Sequence, residues 1–357
     1  MNNELKLVIH PDAIVLAREY ITIFRNNKNI DKVGKTTLQI LRACTPLLPT
    51  PEELCKKLFF TRQSPVYAEF PNQCIDAGYS SADWRIMRHI TPIVPNVKLY
   101  SDGDIRNPVW KQDPIDINVV GLSGVLRAPW ADGGMDGKRY QQLVKEILLP
   151  TFQYLANSQE KDLTFVIPAI GCGVWNKTFD ENGKFTITDP MHSFVYKAIN
   201  ECIEQINKDT PNHGVKNVQF CDYGWNGGTT HPDIMYGNNG QTLLYCKEGN
   251  KIDFPKDSKI FIGMAGDPYA PLGSDVFKGG QDGETGEKFV IHTNIGSILY
   301  GIDGDTVVQN DTQRKIWQRS TRDCIKIKQR LYIRRTFWII LICTRPFIRT
   351  IINKKKQ

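Results

Sequence analysis

Hydrophobic and polar residues follow a regular period in two long stretches in the middle of the chain. Residues 140–156 and residues 191–207 carry apolar side chains three and four positions apart. This spacing places the apolar side chains on one face of a helix, so both stretches are predicted to be amphipathic helices that pack on a core. Pro150 is expected to kink the first helix, because proline removes one backbone hydrogen bond.

Three short apolar runs between and after these helices indicate strands. Residues 164–167, 215–222 and 259–264 contain Val, Ile and Phe and are bounded by residues typical of turns. Strands that alternate with helices favour right-handed βαβ units, in which helices cover a mostly parallel sheet. Ligands of such sheets bind at the carboxyl ends of strands, so the residues that follow each strand are the first candidates for a site.

The first part of the chain has a helical pattern instead. Helical periodicity covers residues 11–24, 36–44 and 51–60, and the last stretch begins with Pro-Glu-Glu, which is typical of a first helical turn. We therefore predict a helical N-terminal extension or cap over residues 1–95. It is expected to pack on a central domain, residues 96–313.

The segment Gly34-Lys35-Thr36-Thr37 is similar to the end of a P-loop, the phosphate-binding motif of many nucleotide triphosphatases. That motif also requires a glycine five residues earlier, where this chain has Asn29, and a buried strand before it. We predict that this segment does not bind a nucleotide triphosphate.

Composition and charge fit one large domain with additions. The chain has 357 residues, of which 41% are hydrophobic, enough to bury a substantial core. Residues 314–357 contain 14 Lys or Arg and one acid, a net charge of +13. The other 313 residues carry 31 basic and 37 acidic residues, a net charge of −6, which does not favour nucleic-acid binding.

The basic tail, residues 314–357, is predicted to lie outside the central domain. The alternatives are a flexible or surface-packed basic appendage that touches acidic lipids and a poorly conforming chain end. The abrupt change of composition is also compatible with an altered reading frame. Its apolar run at residues 337–343 has seven residues, far fewer than the roughly twenty that span a membrane, so no membrane span is predicted. The nine cysteines include no Cys-x-x-Cys pair, so we expect reduced thiols in a cytoplasmic protein.

The most informative motif follows the strand at residues 164–167. Pro168 ends the strand, and Gly171 and Gly173 open a turn in which backbone N–H groups can approach a ligand, because glycine has no Cβ. Such a turn suits a pyrophosphate, and a helix that starts after it would add its partial positive charge. The alternative is an ordinary tight turn between a strand and a loop.

The run of residues 164–175 resembles the second phosphate-binding loop of the macrodomain superfamily, whose members bind ADP-ribose. The resemblance covers residues 115–300 and is sharp over residues 164–175. It implies an α/β fold, a macrodomain-like three-layer α/β/α sandwich with a central mixed, mostly parallel sheet. It also implies a ligand-binding role for the loop residues Ala169, Gly171, Cys172, Gly173, Val174 and Trp175.

Two features depart from the usual macrodomain pattern. The typical Asn-Ala-Ala-Asn stretch is absent, and the nearest match to the glycine-rich loop that follows it is the segment at residues 130–137. By resemblance to that loop, Gly133 and Gly134 would contact the ligand; the alternative is a plain surface loop. Residues 176–190 are inserted between the phosphate-binding loop and its helix. Both departures indicate an atypical member.

A group of acidic residues follows the strand at residues 259–264. Its carboxylates belong to Asp267, Asp275, Asp282 and Glu284. Carboxylates on one loop repel each other, so such groups either lie in water or converge on a cation, a ribose or a reacting centre.

The spacing of these acids, together with a later Thr-Asn pair, resembles the carboxylate region of divergent bacterial-effector macrodomains. That group includes an ADP-ribosylhydrolase that acts on ADP-ribosylated ubiquitin. The resemblance implies catalytic roles for Asp267 and Asp275, with either Asp282 or Glu284 as the third acid, and a ligand-binding role for Asn294. It implies no required cofactor, with ADP-ribose as the ligand or product. A divalent ion held by the acids is an alternative that is not required, because ordinary macrodomains work without one, so no metal ligand is predicted.

The resulting prediction is an ADP-ribosylhydrolase that cleaves an N- or O-glycosyl ADP-ribosyl bond on a modified protein, with ubiquitin as a candidate partner. Cleavage passes through an oxocarbenium-like state, which a carboxylate can stabilise directly or through an activated water. The alternative is a non-catalytic ADP-ribose reader. A poly-ADP-ribose glycohydrolase is disfavoured, because its Gln-Glu-Glu triplet is absent. If the protein is a bacterial effector, it is secreted into the host cell cytosol.

Several other residues are weaker candidates for this site. His231 and His292 are possible acid–base residues, although lone histidines are more often structural. Residues 225–228 follow a strand and are candidates to line the cleft. Trp175 is suited either to stacking on a sugar of the ligand or to burial.

Overall fold

The computed structural model describes residues 6–61, 81–87, 89–101, 110–122, 137–168, 170, 178–179, 185–186, 191–222, 231–236, 240–247, 254–265 and 293–294. These residues all belong to one compact unit, Met1–Ile295. None of the helices among them is both long enough and apolar enough to cross a membrane.

Among its described residues, the N-terminal part contains one strand, four α-helices and a short 3-10 helix, Ile30–Lys32. The strand and the α-helices are β1 (Lys6–Ile9), α1 (Pro11–Asn26), α2 (Lys35–Ala43), α3 (Pro51–Thr61) and α4 (Ser81–Met87). α1 begins as the sequence predicts, because Pro11 suits a first helical turn and the His10 side chain accepts a hydrogen bond from the Asp12 amide. Its C-cap, Asn27, has a left-handed backbone (φ 49°) that ends the helix. The three helices predicted here are confirmed.

These helices share a small core of their own. Apolar faces of α1, α2, α3 and α4 meet in it, and its fully buried members include Ala13, Ala17, Tyr20, Leu41, Leu54 and Leu58. α3 starts with a capping box: the Thr50 amide donates to Glu53 Oε2 (2.8 Å), and the Glu53 amide donates to Thr50 Oγ1 (3.2 Å). The hydrogen bonds from the Thr50 amide and hydroxyl lower the pKa of the Glu53 carboxyl.

The central part contains nine strands and two long helices within the described ranges. The strands are β2 (Ile90–Ser101), β3 (Trp110–Leu122), β4 (Leu163–Pro168), β5 (Thr178–Phe179), β6 (Phe185–Thr186), β7 (Val215–Asp222), β8 (Ile234–Tyr236), β9 (Gln241–Lys247) and β10 (Lys259–Ala265). The helices are α5 (Gly137–Ala156) and α6 (Met191–Asp209). The predicted helices at residues 140–156 and 191–207 and the three predicted strands are confirmed.

Eight of the strands form one mixed sheet in the order β1-β2-β3-β10-β4-β7-β9-β8. The five strands from β3 to β9 in this order are parallel to one another, whereas β1, β2 and β8 pair antiparallel at the two sides. This arrangement confirms the predicted mixed, mostly parallel sheet. β5 and β6 form a separate two-stranded antiparallel sheet.

α5 and α6 pack side by side on one face of the sheet. Their apolar faces meet alternate residues of the parallel strands in a single core, which includes Val144, Phe152, Phe165, Ile199, Phe220 and Phe261. The rings of Phe152 and Phe165 contact edge to face, with centroids 5.4 Å apart. On the opposite face Ile117, Val166 and Ile262 are also buried. The sheet therefore buries both faces, as parallel sheets do.

The predicted division of the chain can be compared with these elements at its first boundary, residue 95. β1 lies in the N-terminal part yet pairs with β2 in the main sheet, and β2 (Ile90–Ser101) runs across the boundary predicted at residue 95. The predicted tail, residues 314–357, lies outside the described residues. The three-part division stays a prediction.

Candidate functional site

Three adjacent strands end together at one edge of the sheet, which we call the carboxyl edge and define by Leu122, Ala265 and Pro168, the last residues of β3, β10 and β4. β10 lies between the other two: Ala265 pairs with Leu122, and Ile262 pairs with Val166. Neighbouring strands are about 4.8 Å apart, so the ends of β3 and β4 lie within about 10 Å of each other.

Gly263 shows how closely these ends pack. A Cβ added to Gly263 would lie 2.5 Å from Leu122 Cδ1 and 2.9 Å from Pro168 Cδ. Any side chain at position 263 would therefore displace the side chains of Leu122 and Pro168. Glycine is required here by the close approach of its neighbours rather than by its backbone angles.

Each predicted site segment follows one of these three strands. β3 leads to Gly133 and Gly134, β4 leads to residues 169–175, and β10 leads to residues 267–284. The topology therefore starts all three segments at one edge of the sheet, with the acidic segment in the middle. The predicted residues themselves lie outside the described ranges: Gly133, Gly134, Ala169, Gly171, Cys172, Gly173, Val174, Trp175, Asp267, Asp275, Asp282 and Glu284.

Ile170 fixes the start of the segment that follows β4. Its amide donates to the Pro168 carbonyl (2.8 Å), and its own carbonyl accepts a hydrogen bond from the Tyr140 hydroxyl (3.1 Å). Both Ile170 and Tyr140 are fully buried. Because Tyr140 belongs to α5, this helix holds the backbone at the entry to residues 171–175.

The first turns of α5 and α6 also meet. A Cβ on Gly137, the first residue of α5, would lie 1.9 Å from the ring of Phe194 in α6. Gly137 directly follows the segment that holds Gly133 and Gly134, and Phe194 lies shortly after the insertion at residues 176–190. This contact brings the end of the first predicted glycine segment to the start of the helix that follows the second.

Asp83 occupies the helix N-terminus at residues 34–37. Its Oδ2 accepts from the Thr36 amide (3.1 Å), and its Oδ1 accepts from the Thr37 amide (2.9 Å) and hydroxyl (2.6 Å). Asp83 is fully buried, and a Cβ on Gly34 would lie 2.0 Å from its Oδ1. The amides that a P-loop would offer to phosphate thus bind a carboxylate of the chain itself.

His231 lies in an aromatic group that sequence reasoning did not assemble. Its ring stacks on Tyr196 of α6 (centroids 4.4 Å apart, planes at 10°) and meets the Tyr245 ring edge-on at 5.2 Å. Ser193 Oγ is 3.3 Å from His231 Nε2, within hydrogen-bond distance. Burial, with a smaller contribution from Asp233, raises the pKa of Tyr196. The only feature of the sequence that pointed to this aromatic group was the position of His231 shortly after β7.

Asn294 is the one predicted ligand residue among those that the structure describes. Its side-chain Oδ1 accepts a hydrogen bond from the Lys98 backbone amide (2.7 Å), and its backbone amide donates to the Lys98 carbonyl (3.2 Å). Lys98 pairs with Asp116, six residues before the end of β3, which corresponds to about 20 Å along the strand. The structure therefore does not bring Asn294 next to the carboxyl edge. His292 and residues 225–228 lie outside the described ranges.

A comparison with protein families agrees with this topology. A family model described as "Macrodomain effector MavL" matches residues 5–223, more than half of the chain. The match includes β3, β4 and residues 169–175 but ends before β10 and the acids that follow it. No curated protein matches the chain. The family match and the mixed sheet together show that the chain belongs to the family of macrodomain effectors typified by MavL, and so to the ADP-ribose-binding macrodomains.

Proposed function

We propose that the protein is an ADP-ribosylhydrolase that removes ADP-ribose from a modified protein. The observation that supports this proposal best is the position of β10 between β3 and β4. It starts the acidic segment beside the segment that resembles a phosphate-binding loop, and in this proposal one ligand contacts both segments. ADP-ribose has this layout, with its pyrophosphate a few bonds away from the ribose carbon at which proteins are attached.

In this proposal the two segments have different tasks. The amides of residues 171–175 bind the pyrophosphate and orient the ligand. Asp267 and Asp275, with Asp282 or Glu284, stabilise the positive charge that develops at the anomeric carbon and position the attacking water. Tyr140 acts through Ile170 by holding the backbone that leads into residues 171–175.

ADP-ribosylated ubiquitin is the substrate to test first. The spacing of the acids resembles effector macrodomains that act on it, and the family description names effectors. We further propose that the protein acts in the cytosol of a host cell after secretion and that it needs no cofactor, with ADP-ribose as product. The alternative, a reader that binds ADP-ribose without cleaving it, is an outcome of the same experiment.

The test compares turnover with affinity. The full chain is incubated with ADP-ribosylated ubiquitin and, separately, with an acid-linked ADP-ribosyl protein, and mass spectrometry follows the loss of ADP-ribose. Asp275→Ala should reduce turnover far more than it reduces ADP-ribose affinity, because a group that acts on developing charge contributes mainly in the transition state.

Asp257→Ala is the matched control, since Asp257 is an exposed acid just before β10, at the end of that strand remote from the carboxyl edge. It should leave turnover and affinity unchanged. Equal losses of turnover and affinity in Asp275→Ala would assign this residue to ribose binding alone. If the wild-type chain releases ADP-ribose from neither substrate while binding free ADP-ribose, the reader is the better description.

A further inference from the structure

Two histidines and one carboxylate come together where the N-terminal helices join the sheet. His10 follows β1 and caps α1, Asp12 lies in the first turn of α1, and His89 directly precedes β2. The His10 amide donates to the His89 carbonyl (3.0 Å), and the neighbouring residues Ile9 and Ile90 pair in the sheet. Regular backbone structure therefore holds residues from distant parts of the sequence side by side.

The side chains of this His10–Asp12–His89 cluster converge. One ligand atom from each residue can be chosen so that all three atoms lie within 4.8 Å of one another. The two imidazole rings stack, with centroids 5.8 Å apart and planes at 26°. His89 is buried, the His10 side chain is 17% exposed and the Asp12 side chain is 61% exposed. The two histidines of the cluster are thus largely buried, whereas Asp12 is open to solvent.

The closest approach in the cluster has the dimensions of a metal chelate. His10 Nδ1 accepts a hydrogen bond from the Asp12 amide (3.2 Å), so its lone pair faces the first turn of α1, and an ion bound there would replace this hydrogen bond. Asp12 Oδ2, another electron-pair donor, lies 3.3 Å from the same nitrogen. Two donors that each bind a tetrahedral ion at about 2.1 Å are separated by roughly 3.4 Å. A cation bound by both would offset the repulsion between them.

We propose that His10, Asp12 and His89 form a binding site for a divalent transition-metal ion of the Zn²⁺, Co²⁺ or Ni²⁺ class. Imidazole nitrogen with one carboxylate suits these ions, whereas Mg²⁺ and Ca²⁺ favour sites made of oxygen. Three protein ligands leave a fourth position for water or for a group from another molecule. The positive end of α1 opposes a cation, so the affinity is expected to be on the order of micromolar.

The cluster lies near the edge of the sheet at which the ligand is proposed to bind. β2 runs antiparallel to β3 and begins at the carboxyl edge, so His89 and His10 lie at that same edge of the sheet. Two strand spacings separate β2 from β10, roughly 10 Å. A bound ion would link α1 to β2 and add positive charge close to the edge where the proposed anionic ligand binds.

The test uses the full chain after treatment with a chelator. Calorimetry with Zn²⁺ should show one ion bound per chain, and Co²⁺ should give a visible spectrum typical of bound imidazole. Saturating Zn²⁺ should raise the thermal midpoint by about 5 °C, because the ion binds the folded chain. Asp12→Asn and His10→Asn should each weaken Zn²⁺ binding at least tenfold; both are conservative, since Asn has the shape of Asp and caps helices well.

Glu52→Gln is the matched control, because Glu52 is an exposed carboxylate in the first turn of α3 that pairs with Lys56 and is not one of the three proposed ligands. It should bind Zn²⁺ like the wild type. Absence of Zn²⁺ binding by the full chain would overturn the proposal. So would unchanged affinity in a folded Asp12→Asn variant, since the ion would then be held elsewhere. His89→Phe, which keeps a ring in the stack, supplies a second reading from the buried ligand.

Discussion

One glycine-containing segment in this chain leads into backbone amides that bind an anion, and a second is proposed to do the same; the two differ in what provides the anion. At residues 34–37 the chain provides it, because both carboxylate oxygens of Asp83 bind the first amides of α2. At residues 171–175 the segment follows β4 at the carboxyl edge, and we propose that a bound pyrophosphate fills the same chemical role. The comparison teaches that a glycine motif indicates backbone amides that can bind an anion. It does not indicate whether the anion is a side chain of the protein or a ligand.

The two segments should therefore respond differently to mutation. A change at residues 34–37 acts on an internal contact between α2 and α4, so it should alter the free energy of unfolding. A change at residues 171–175 acts on a position proposed for the ligand, so it should alter affinity for ADP-ribose. Variants in which both quantities change together would break this distinction.

The largest effect is expected from Gly173→Glu. The new side chain places bulk and negative charge where the pyrophosphate is proposed to bind, so affinity for ADP-ribose should fall at least about 1,000-fold, roughly 4 kcal/mol. Calorimetry on the folded variant measures this loss. Unchanged affinity would remove residues 171–175 from the site.

The second-largest effect is expected from removing the carboxylate of Asp83, which binds the first amides of α2. Asp83→Ala leaves two buried amides and the Thr37 hydroxyl without their acceptor, so the free energy of unfolding should fall by about 3 kcal/mol. Denaturant titration measures it, while ADP-ribose affinity should stay as in the wild type. Asp83→Asn, which keeps one acceptor oxygen, should lose less. A drop in ADP-ribose affinity in folded Asp83→Ala would show that the two segments are coupled.

Tyr140→Phe tests the anchor of the proposed ligand segment. Without the hydroxyl, the buried Ile170 carbonyl loses a hydrogen bond, which should lower the free energy of unfolding by about 1 kcal/mol. A less fixed start of residues 171–175 should also weaken ADP-ribose binding about fivefold. Tyr20→Phe is the matched control, since the Tyr20 hydroxyl donates to Ala82 beside Asp83 (3.1 Å). That variant should lose similar stability and no affinity; equal affinities in the two variants would contradict the anchoring role.

The smallest effect is a pH dependence at the amino-terminal ends of the strands. Burial lowers the pKa of His213, and the charge of Lys216 makes a smaller contribution in the same direction. The His213 ring accepts a hydrogen bond from the Val215 amide (3.1 Å), and its Nε2 lies 2.8 Å from Asn207 Oδ1. A group with a lowered pKa in the folded state stabilises the fold above its unfolded pKa, about 6.5, and this stability is lost as the pH falls.

The difference in thermal midpoint between wild type and His213→Asn should therefore shrink from pH 7.5 to pH 5.5. ADP-ribose affinity should not differ between the two proteins at either pH, since His213 lies at the edge opposite the proposed site. A difference in midpoint that is constant with pH would show that protonation of His213 is not coupled to folding.

Much of the fold was predictable because its helices and parallel strands bury regular faces. α5, α6 and β7 were predicted within three residues of their bounds, and α1 begins at the predicted residue, Pro11. The pattern did not predict β2, which contains Pro92 and Pro95. The structure explains why it is nevertheless a strand: the pairing with β3 shifts register between Val94 and Val97, and Asn96 there has a left-handed backbone (φ 56°).

The site was predictable only in part. The glycines after β4 make that segment a predicted site, which stays a prediction, and the topology supplies the reason for grouping it with the segments after β3 and β10. The His10–Asp12–His89 cluster was not visible, because His89 is far from the other two along the chain and only the pairing of β1 with β2 joins them. The group around His231 was missed for the same reason. The spacing of residues along a sequence does not show which distant residues the pairing of strands in a sheet brings together.

β10 completes the sheet late in synthesis, because it follows the other strands of the sheet along the described chain and yet pairs between β3 and β4. Residues 110–168 leave the ribosome well before residues 259–265, so for that interval β3 and β4 present facing edges without a partner. Open edges pair readily with other chains. Ribosome-bound chains arrested at residue 250 should thus be far more sensitive to protease than chains arrested at residue 310. Equal resistance at both lengths would mean that β3 and β4 first pair with each other and that β10 must later separate them.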